Sequence, residues 1–150
     1  MRILALDVGT KTVGLAISDL LGMTAQGLTT LRRRTLEADL LELEKIIREY
    51  EVEELMIGLP LNMNGTAGPS VEMAREFGAA CGERFPEMKI TYRDERYSTM
   101  AAERFLLEGD VSRKKRKQVI DKMAAAYVLQ GYLDFLSMQN TRMERDKGTE

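Results

Sequence analysis

The stretch "RILALDVGTKTVGLAIS", residues 2–18, decides the fold of this chain. Two apolar segments flank the sequence "DVGTKT", whose glycine and threonines favour a turn. In the second segment Val13, Leu15 and Ile17 alternate with other residues, as in a half-buried strand. We therefore predict a β-hairpin with Asp7 at the end of its first strand. Such a hairpin can hold the phosphates of a nucleotide, or a metal ion against a nucleic-acid backbone.

The rest of the chain changes between helical and extended periodicity. Leu40, Leu43 and Ile47 recur at helical spacing, whereas "EELMIGLP" is typical of a buried strand ended by Pro60. Pro69 suits the first turn of a helix. We predict strands at residues 2–7, 12–18 and 24–31, a helix at 35–50, a strand at 53–60, a helix at 69–84, a strand at 88–96, and helices at 98–108 and 112–136.

This order predicts an α/β fold. Three antiparallel strands form a meander, parallel strands extend it into a mixed β-sheet, and helices cover both faces. No internal repeat or linker divides the chain. We expect one domain over residues 1–138 and a flexible polar tail over residues 139–150.

The composition restricts the chemistry that the chain can perform. The 150 residues contain no histidine and a single cysteine, Cys81, and their formal net charge is −2. A Ser-His-Asp site cannot be built, and a zinc site lacks its usual ligands. Carboxylates remain, and they favour hard ions such as Mg²⁺ and Mn²⁺. The lone cysteine fits a reducing cytoplasm, and no segment predicts a membrane span.

Three acidic positions are candidates for such chemistry. Asp7 ends an apolar strand, where it either bonds its own turn or serves a site at the rim of the core. In "RDER" either Asp94 or Glu95 could serve, because neighbouring strand residues point to opposite faces. Asp121 falls in line with the apolar helix face of Ala125 and Val128, where an acid needs a partner.

Several polar residues could contact phosphates. The loop after the fourth strand offers the Asn62 side chain and the backbone amides of Gly65 and Thr66. Lys11 and Arg96 either contact phosphates or are solvated charges. The densest basic cluster lies just before Asp121, and it fits a nucleic-acid backbone or a solvated helix face. Its cations are Arg113, Lys114, Arg116 and Lys117.

Four segments together resemble a known family. They are "LALDVGTKTVGLA", "IGLPLNMNGT", "DERYST" and "DKMAAAYVLQGYLD", in the family's order from about residue 2 to residue 134. The chain resembles the RuvX (YqgF) family, described as Holliday junction resolvases and as pre-16S rRNA nucleases with the ribonuclease H-like fold. The resemblance implies a catalytic, metal-binding triad of Asp7, Glu95 and Asp121 with Mg²⁺ or Mn²⁺, and so favours Glu95 over Asp94.

The resemblance also implies a function. We expect a metal-dependent nuclease that processes the 5′ end of pre-16S rRNA, with pre-rRNA and ribosomal precursor particles as partners. The alternative is a Holliday junction resolvase that binds branched DNA. A non-catalytic RNA-binding assembly factor and an actin-like ATPase remain open, the latter because its phosphate-binding hairpin is similar. The protein is a monomer or a dimer, and a two-fold symmetric junction favours the dimer.

Overall fold

The computed structural model describes residues 2–62, 64–94 and 113–148, with the backbone alone for residues 113–122 and 146–148. The described part contains five strands and three helices. The strands are β1 (Arg2–Val8), β2 (Thr12–Ser18), β3 (Ala25–Arg32), β4 (Val52–Leu59) and β5 (Lys89–Asp94), and the helices are α1 (Leu36–Glu49), α2 (Pro69–Arg84) and α3 (Arg113–Gly148). The helix predicted at residues 98–108 lies outside the described residues.

The five strands form one mixed sheet in the order β3-β2-β1-β4-β5. β1, β2 and β3 pair antiparallel, whereas β4 and β5 continue the sheet parallel to β1. This arrangement confirms the predicted meander extended by parallel strands. Because β1, β4 and β5 run in the same direction, their carboxyl ends meet at one edge of the sheet, which we call the carboxyl edge.

The two faces of the sheet carry separate apolar cores. Leu4, Leu6 and Val8 of β1 pack in the core formed with α1 and α2. Ile3 and Ala5, which alternate with them, pack against α3. Strand alternation therefore divides β1 between two helical layers, and the prediction of helices on both faces is confirmed.

Local sequence explains where the first two helices begin. The Thr35 hydroxyl accepts a hydrogen bond from the Ala38 amide at 3.1 Å and caps α1. Pro69 is the first residue of α2, where its missing N–H costs no helical hydrogen bond. Both helices lie within two residues of their predicted bounds.

The last helix is longer than predicted. We expected its end at Leu136, where the apolar stripe stops, but α3 continues to Gly148. Its last turns contain good helix formers such as Met143, Glu144 and Arg145, which are exposed and need no packing to remain helical. The predicted end is wrong for this reason. The mobility of residues 139–150 is a separate property and stays a prediction.

Candidate functional site

Asp7 lies at the carboxyl edge on the face that α3 covers. It follows Ile3 and Ala5 at two-residue spacing, and both of these pack against α3. The Asp7 side chain is only partly buried, unlike its neighbours in β1. Its partner across the β1–β2 pair is Gly14, which places no side chain beside it. The carboxylate thus stands where the buried α3 face ends.

The turn that follows Asp7 is tight. The Gly9 amide donates to the Thr12 carbonyl at 2.8 Å. A Cβ at Gly9 would lie 3.0 Å from that same carbonyl oxygen, so the turn favours glycine here. Lys11 is exposed at the tip, as its predicted contact with phosphate requires.

Arg33 belongs to the basic run Arg32–Arg34, a second candidate for contact with a phosphate backbone. It holds this turn from behind, a role that the sequence did not predict. Its guanidinium donates to the Gly9 carbonyl at 3.0 Å, and its backbone amide donates to the Lys11 carbonyl at 2.8 Å. The start of the connection from β3 to α1 is thereby bonded to the tip of the β1–β2 hairpin.

The predicted phosphate loop follows β4 at the same edge and is closed by its own hydrogen bonds. The Gly65 amide donates to the Asn62 carbonyl at 2.8 Å, and the Thr66 amide donates to the Asn64 side chain at 3.0 Å. The Asn62 side-chain amide donates to the Thr66 hydroxyl at 3.0 Å. These internal bonds give the loop a defined shape but engage the two backbone donors, so the phosphate contact stays a prediction.

The contacts of Tyr92 and Arg93 show which face of β5 each of them occupies. A Cβ at Gly78 of α2 would collide with the Tyr92 hydroxyl, so Tyr92 lies against α2. Arg93 instead donates to the Gly131 carbonyl of α3 at 3.4 Å. Asp94 therefore shares the face of Tyr92 by alternation. Glu95 and Arg96 lie outside the described residues.

The backbone of α3 shows where Asp121 and the predicted basic cluster lie along the helix. Ala125 packs in the core that contains Ala5. Asp121 precedes Ala125 by one helical turn, about 6 Å along the axis at 1.5 Å per residue. The basic cluster of Arg113, Lys114, Arg116 and Lys117 forms the first turns of the same helix. The side chains of these five residues lie outside the described part.

A buried carboxylate that the sequence analysis also missed lies elsewhere on the α3 face. Glu54 is 1% exposed, and its Oε2 accepts hydrogen bonds from Tyr132 at 2.7 Å and Thr91 at 2.9 Å. Its Oε1 lies 3.7 Å from the Lys89 ammonium. Burial, and then the bond to Glu54, raise the pKa of the Tyr132 hydroxyl. This cluster stabilises the seam between β4, β5 and α3 at the amino-terminal end of β4 and β5.

The donor set of the chain fits a hard metal ion. Within residues 2–62, 64–94 and 123–145 no three acidic, histidine or cysteine side chains form a metal group. Two of the predicted ligands, Glu95 and Asp121, are not among these residues. Burial raises the pKa of the Cys81 thiol to about 12, so it does not supply a thiolate at neutral pH. Carboxylates are left as the ligands, and they suit Mg²⁺ or Mn²⁺.

Solved structures of known proteins identify the fold class of this chain. The yeast mitochondrial Holliday junction resolvase matches with a TM-score of 0.60 and 10% identity, over 99% of this chain and 84% of that one. Thermus thermophilus RuvC, solved in complex with a Holliday junction substrate, matches with a TM-score of 0.54 and 12% identity, over 89% and 93% of the two chains. At these identities the likeness shows the fold, which is the ribonuclease H-like fold.

The family follows from the sequence comparisons. The chain belongs to the RuvX family, described as Holliday junction resolvase, whose model matches residues 1–135. A Clostridium botulinum protein named "Putative pre-16S rRNA nuclease" is 56% identical over 137 residues, covering 91% of this chain and 99% of that protein. A Moorella thermoacetica protein of the same name is 57% identical over 136 residues, covering 91% and 96%. These matches confirm the resemblance that the four sequence segments carried.

None of the described helices is both long enough and apolar enough to cross a bilayer.

Proposed function

We propose that this protein is a metal-dependent nuclease that hydrolyses phosphodiester bonds at the carboxyl edge, and that its substrate is the 5′ end of pre-16S rRNA. The observation that carries the proposal is the place of Asp7. Asp7 lies on the same face of β1 as Ile3 and Ala5, near the end of the strand. A relative that matches over 99% of its own length bears the name of such a nuclease. An acid at this position is exposed enough to bind a ligand and fixed enough to hold its geometry.

Glu95 is the second acid of the proposed site. Tyr92 and Asp94 belong to the α2 face of β5, whereas Arg93 belongs to the α3 face. Asp94 therefore lies on the face away from Asp7. The register pairs Asp94 with Leu59, at the carboxyl edge. This place in the sheet counts against Asp94 as a ligand beside Asp7, and the family resemblance assigns the role to Glu95.

Asp121 is the third acid. It lies on α3 one turn before Ala125, which packs in the same core as Ala5 of β1. Ala5 is two residues from Asp7, so helix and strand converge near the carboxyl edge. The proposal therefore assigns Asp7, Glu95 and Asp121 to one metal site.

These carboxylates would hold Mg²⁺ or Mn²⁺, which would supply an activated water and charge stabilisation for the leaving oxygen of a phosphodiester. The chain's own residues position the substrate. Lys11 and Arg96 contact phosphates next to the acids, and the loop with Asn62, Gly65 and Thr66 borders the same edge. The basic first turns of α3 guide the backbone toward Asp121. The reaction takes place in the cytoplasm on ribosomal precursor particles.

Cleavage of matched substrates by one preparation tests the substrate. An RNA spanning the 5′ boundary of 16S rRNA and a four-way DNA junction are incubated with Mg²⁺ or Mn²⁺, and the products are mapped to the nucleotide. We expect cuts in the RNA near the mature 5′ end and a much higher kcat/KM than for the junction. Tight binding of the RNA without any cut under either metal would instead identify a non-catalytic assembly factor.

Cleavage of branched DNA is the second candidate. It is favoured by the description of the family model, which is Holliday junction resolvase. A resolvase must make two symmetric cuts, so it requires a dimer on the junction. Symmetric cutting of the junction, together with a dimer in analytical ultracentrifugation, would favour this function over RNA processing.

A further inference from the structure

Arg33 connects three parts of the molecule behind the hairpin tip. Besides its bond to the Gly9 carbonyl, its Nε lies 3.4 Å from the Asp39 carboxylate of α1. Its guanidinium carbon also lies 5.4 Å from the centre of the Phe77 ring of α2. The side chain is 21% exposed, so it is largely withdrawn from solvent. A cation held in this way is not a solvated surface charge.

Asp39 fixes the direction of that guanidinium. The carboxylate is 5% exposed and lies in the first turn of α1. One oxygen accepts from the Arg34 backbone amide at 3.0 Å and the other faces the Arg33 guanidinium. The carboxylate thereby lies near the positive end of the helix dipole. The Arg33 guanidinium therefore faces the buried Asp39 carboxylate on one side and the Gly9 carbonyl on the other.

The bonded atoms lie close to Asp7 along the chain. Gly9 is two residues after Asp7, and the Lys11 carbonyl is bonded to the Arg33 amide. Glycine at position 9 leaves the backbone freer to move than any other residue would. A side chain that bonds this glycine therefore restricts the motion of the turn.

We propose that Arg33, oriented by Asp39, is a positioning residue of the site: it fixes the turn after Asp7 and thereby the metal-binding direction of the Asp7 carboxylate. This inference rests on the proposed function for the role of Asp7. Residues that orient a metal ligand from outside typically change metal affinity by about 10- to 100-fold when removed.

The test compares Arg33→Ala with Arg34→Ala in the full chain without substrate. Arg34 is the matched control, because its side chain is 64% exposed and the variant keeps the backbone amide that bonds Asp39. Mn²⁺ affinity is measured by electron paramagnetic resonance, and amide exchange over residues 9–12 by NMR. We expect Arg33→Ala to weaken Mn²⁺ binding about tenfold or more and to accelerate exchange in the turn. Arg34→Ala should match the wild type in both.

Two further variants keep the test decisive if Arg33→Ala does not fold. Arg33→Lys retains the charge and one donor nitrogen, and we expect a smaller loss of Mn²⁺ affinity than in Asp39→Asn, which removes the negative charge that orients the guanidinium. Wild-type exchange in the turn of both folded variants would overturn the inference, as would equal effects of Arg33→Ala and Arg34→Ala. A wild-type protein that binds no Mn²⁺ would contradict the proposed function, while the exchange rates would still decide whether Arg33 fixes the turn.

Discussion

Asp7 lies directly opposite Gly14 in the antiparallel pair of β1 and β2. Residues paired in this way have Cβ positions about 4.5–5.5 Å apart on the same face of the sheet. A side chain at position 14 would therefore stand next to the Asp7 carboxylate. The glycine places no side chain directly opposite the acid, which suits a carboxylate that must bind a metal ion and receive a phosphate.

We expect Gly14→Val to reduce metal-dependent cleavage by about 10-fold or more, because misplacement of a reacting group by about 1 Å can cost 100-fold. Gly27→Val is the control, since Gly27 is an exposed glycine of the same sheet, in the edge strand β3. Cleavage rates and thermal unfolding of both variants are compared with the wild type. Equal rates for Gly14→Val and the wild type would show that space beside Asp7 is not needed.

A pair of neighbouring variants tests the assignment of the second acid. Glu95→Gln should lower the cleavage rate by about 100-fold or more, as expected when a charge acting on the transition state is removed. Asp94→Asn should change the rate little, because Asp94 belongs to the α2 face of β5. A larger loss in Asp94→Asn than in Glu95→Gln would reverse the assignment.

The cluster around Glu54 should affect stability without affecting cleavage. Tyr132→Phe removes one of the two hydrogen bonds to Glu54 Oε2 and should lower the free energy of unfolding by about 1–3 kcal/mol, measured by urea denaturation. The rate of cleavage should stay at the wild-type level, because the cluster lies away from the carboxyl edge. Unchanged stability in Tyr132→Phe would contradict the contribution assigned to this bond.

The raised pKa of Tyr132 predicts that the stability of the protein depends on pH. Its pKa is raised in the folded protein, so the unfolded state loses the phenolic proton first as the pH rises. The associated stability is fully present below the ordinary tyrosine pKa of about 10 and is lost above it. The difference in stability between wild type and Tyr132→Phe should therefore shrink between about pH 10 and the folded pKa. A constant difference across that range would argue against the raised pKa.

The basic first turns of α3 should control the salt dependence of RNA binding. Changing Arg113, Lys114, Arg116 and Lys117 to Gln should weaken binding and flatten the plot of log affinity against log salt, by about 0.7 for each lost phosphate contact on a single strand. The double variant Lys45→Gln/Arg48→Gln is the control, because these cations pair with Glu42 and Glu44 on α1. An unchanged slope in the α3 variant would place the backbone path elsewhere.

The strands and most helix bounds followed from the sequence because their signals are local. Alternation in β2, the Pro60 stop and the Pro69 start each act within a few residues. The end of α3 was missed because the prediction used the apolar stripe, whereas exposed residues such as Glu144 stay helical through propensity alone. The preference for Glu95 came from the family resemblance, since parity alone left Asp94 open.

Two buried acids were missed: Asp39, which lies behind the site, and Glu54, which lies away from it. Asp39 lies four residues before Leu43 on the apolar face of α1. This spacing in the sequence indicates that Asp39 is buried. Glu54 is buried on the α3 face, two residues before Met56, which packs in the core beneath α3. Its partner Tyr132 is 78 residues away, so only the fold shows that its Oε2 is hydrogen-bonded.

The most direct test of the central claim is the Mg²⁺-dependent cleavage rate of Asp7→Asn beside that of Asp19→Asn. Each variant removes one acid of the β1–β2 hairpin: Asp7 lies near the end of β1, and Asp19 directly follows β2. Asp19, however, accepts from the Met23 amide at 2.7 Å near the opposite edge of the sheet. We predict that Asp7→Asn loses cleavage of the pre-16S RNA by about 100-fold or more while Asp19→Asn cuts like the wild type. Wild-type cleavage by Asp7→Asn would contradict the account.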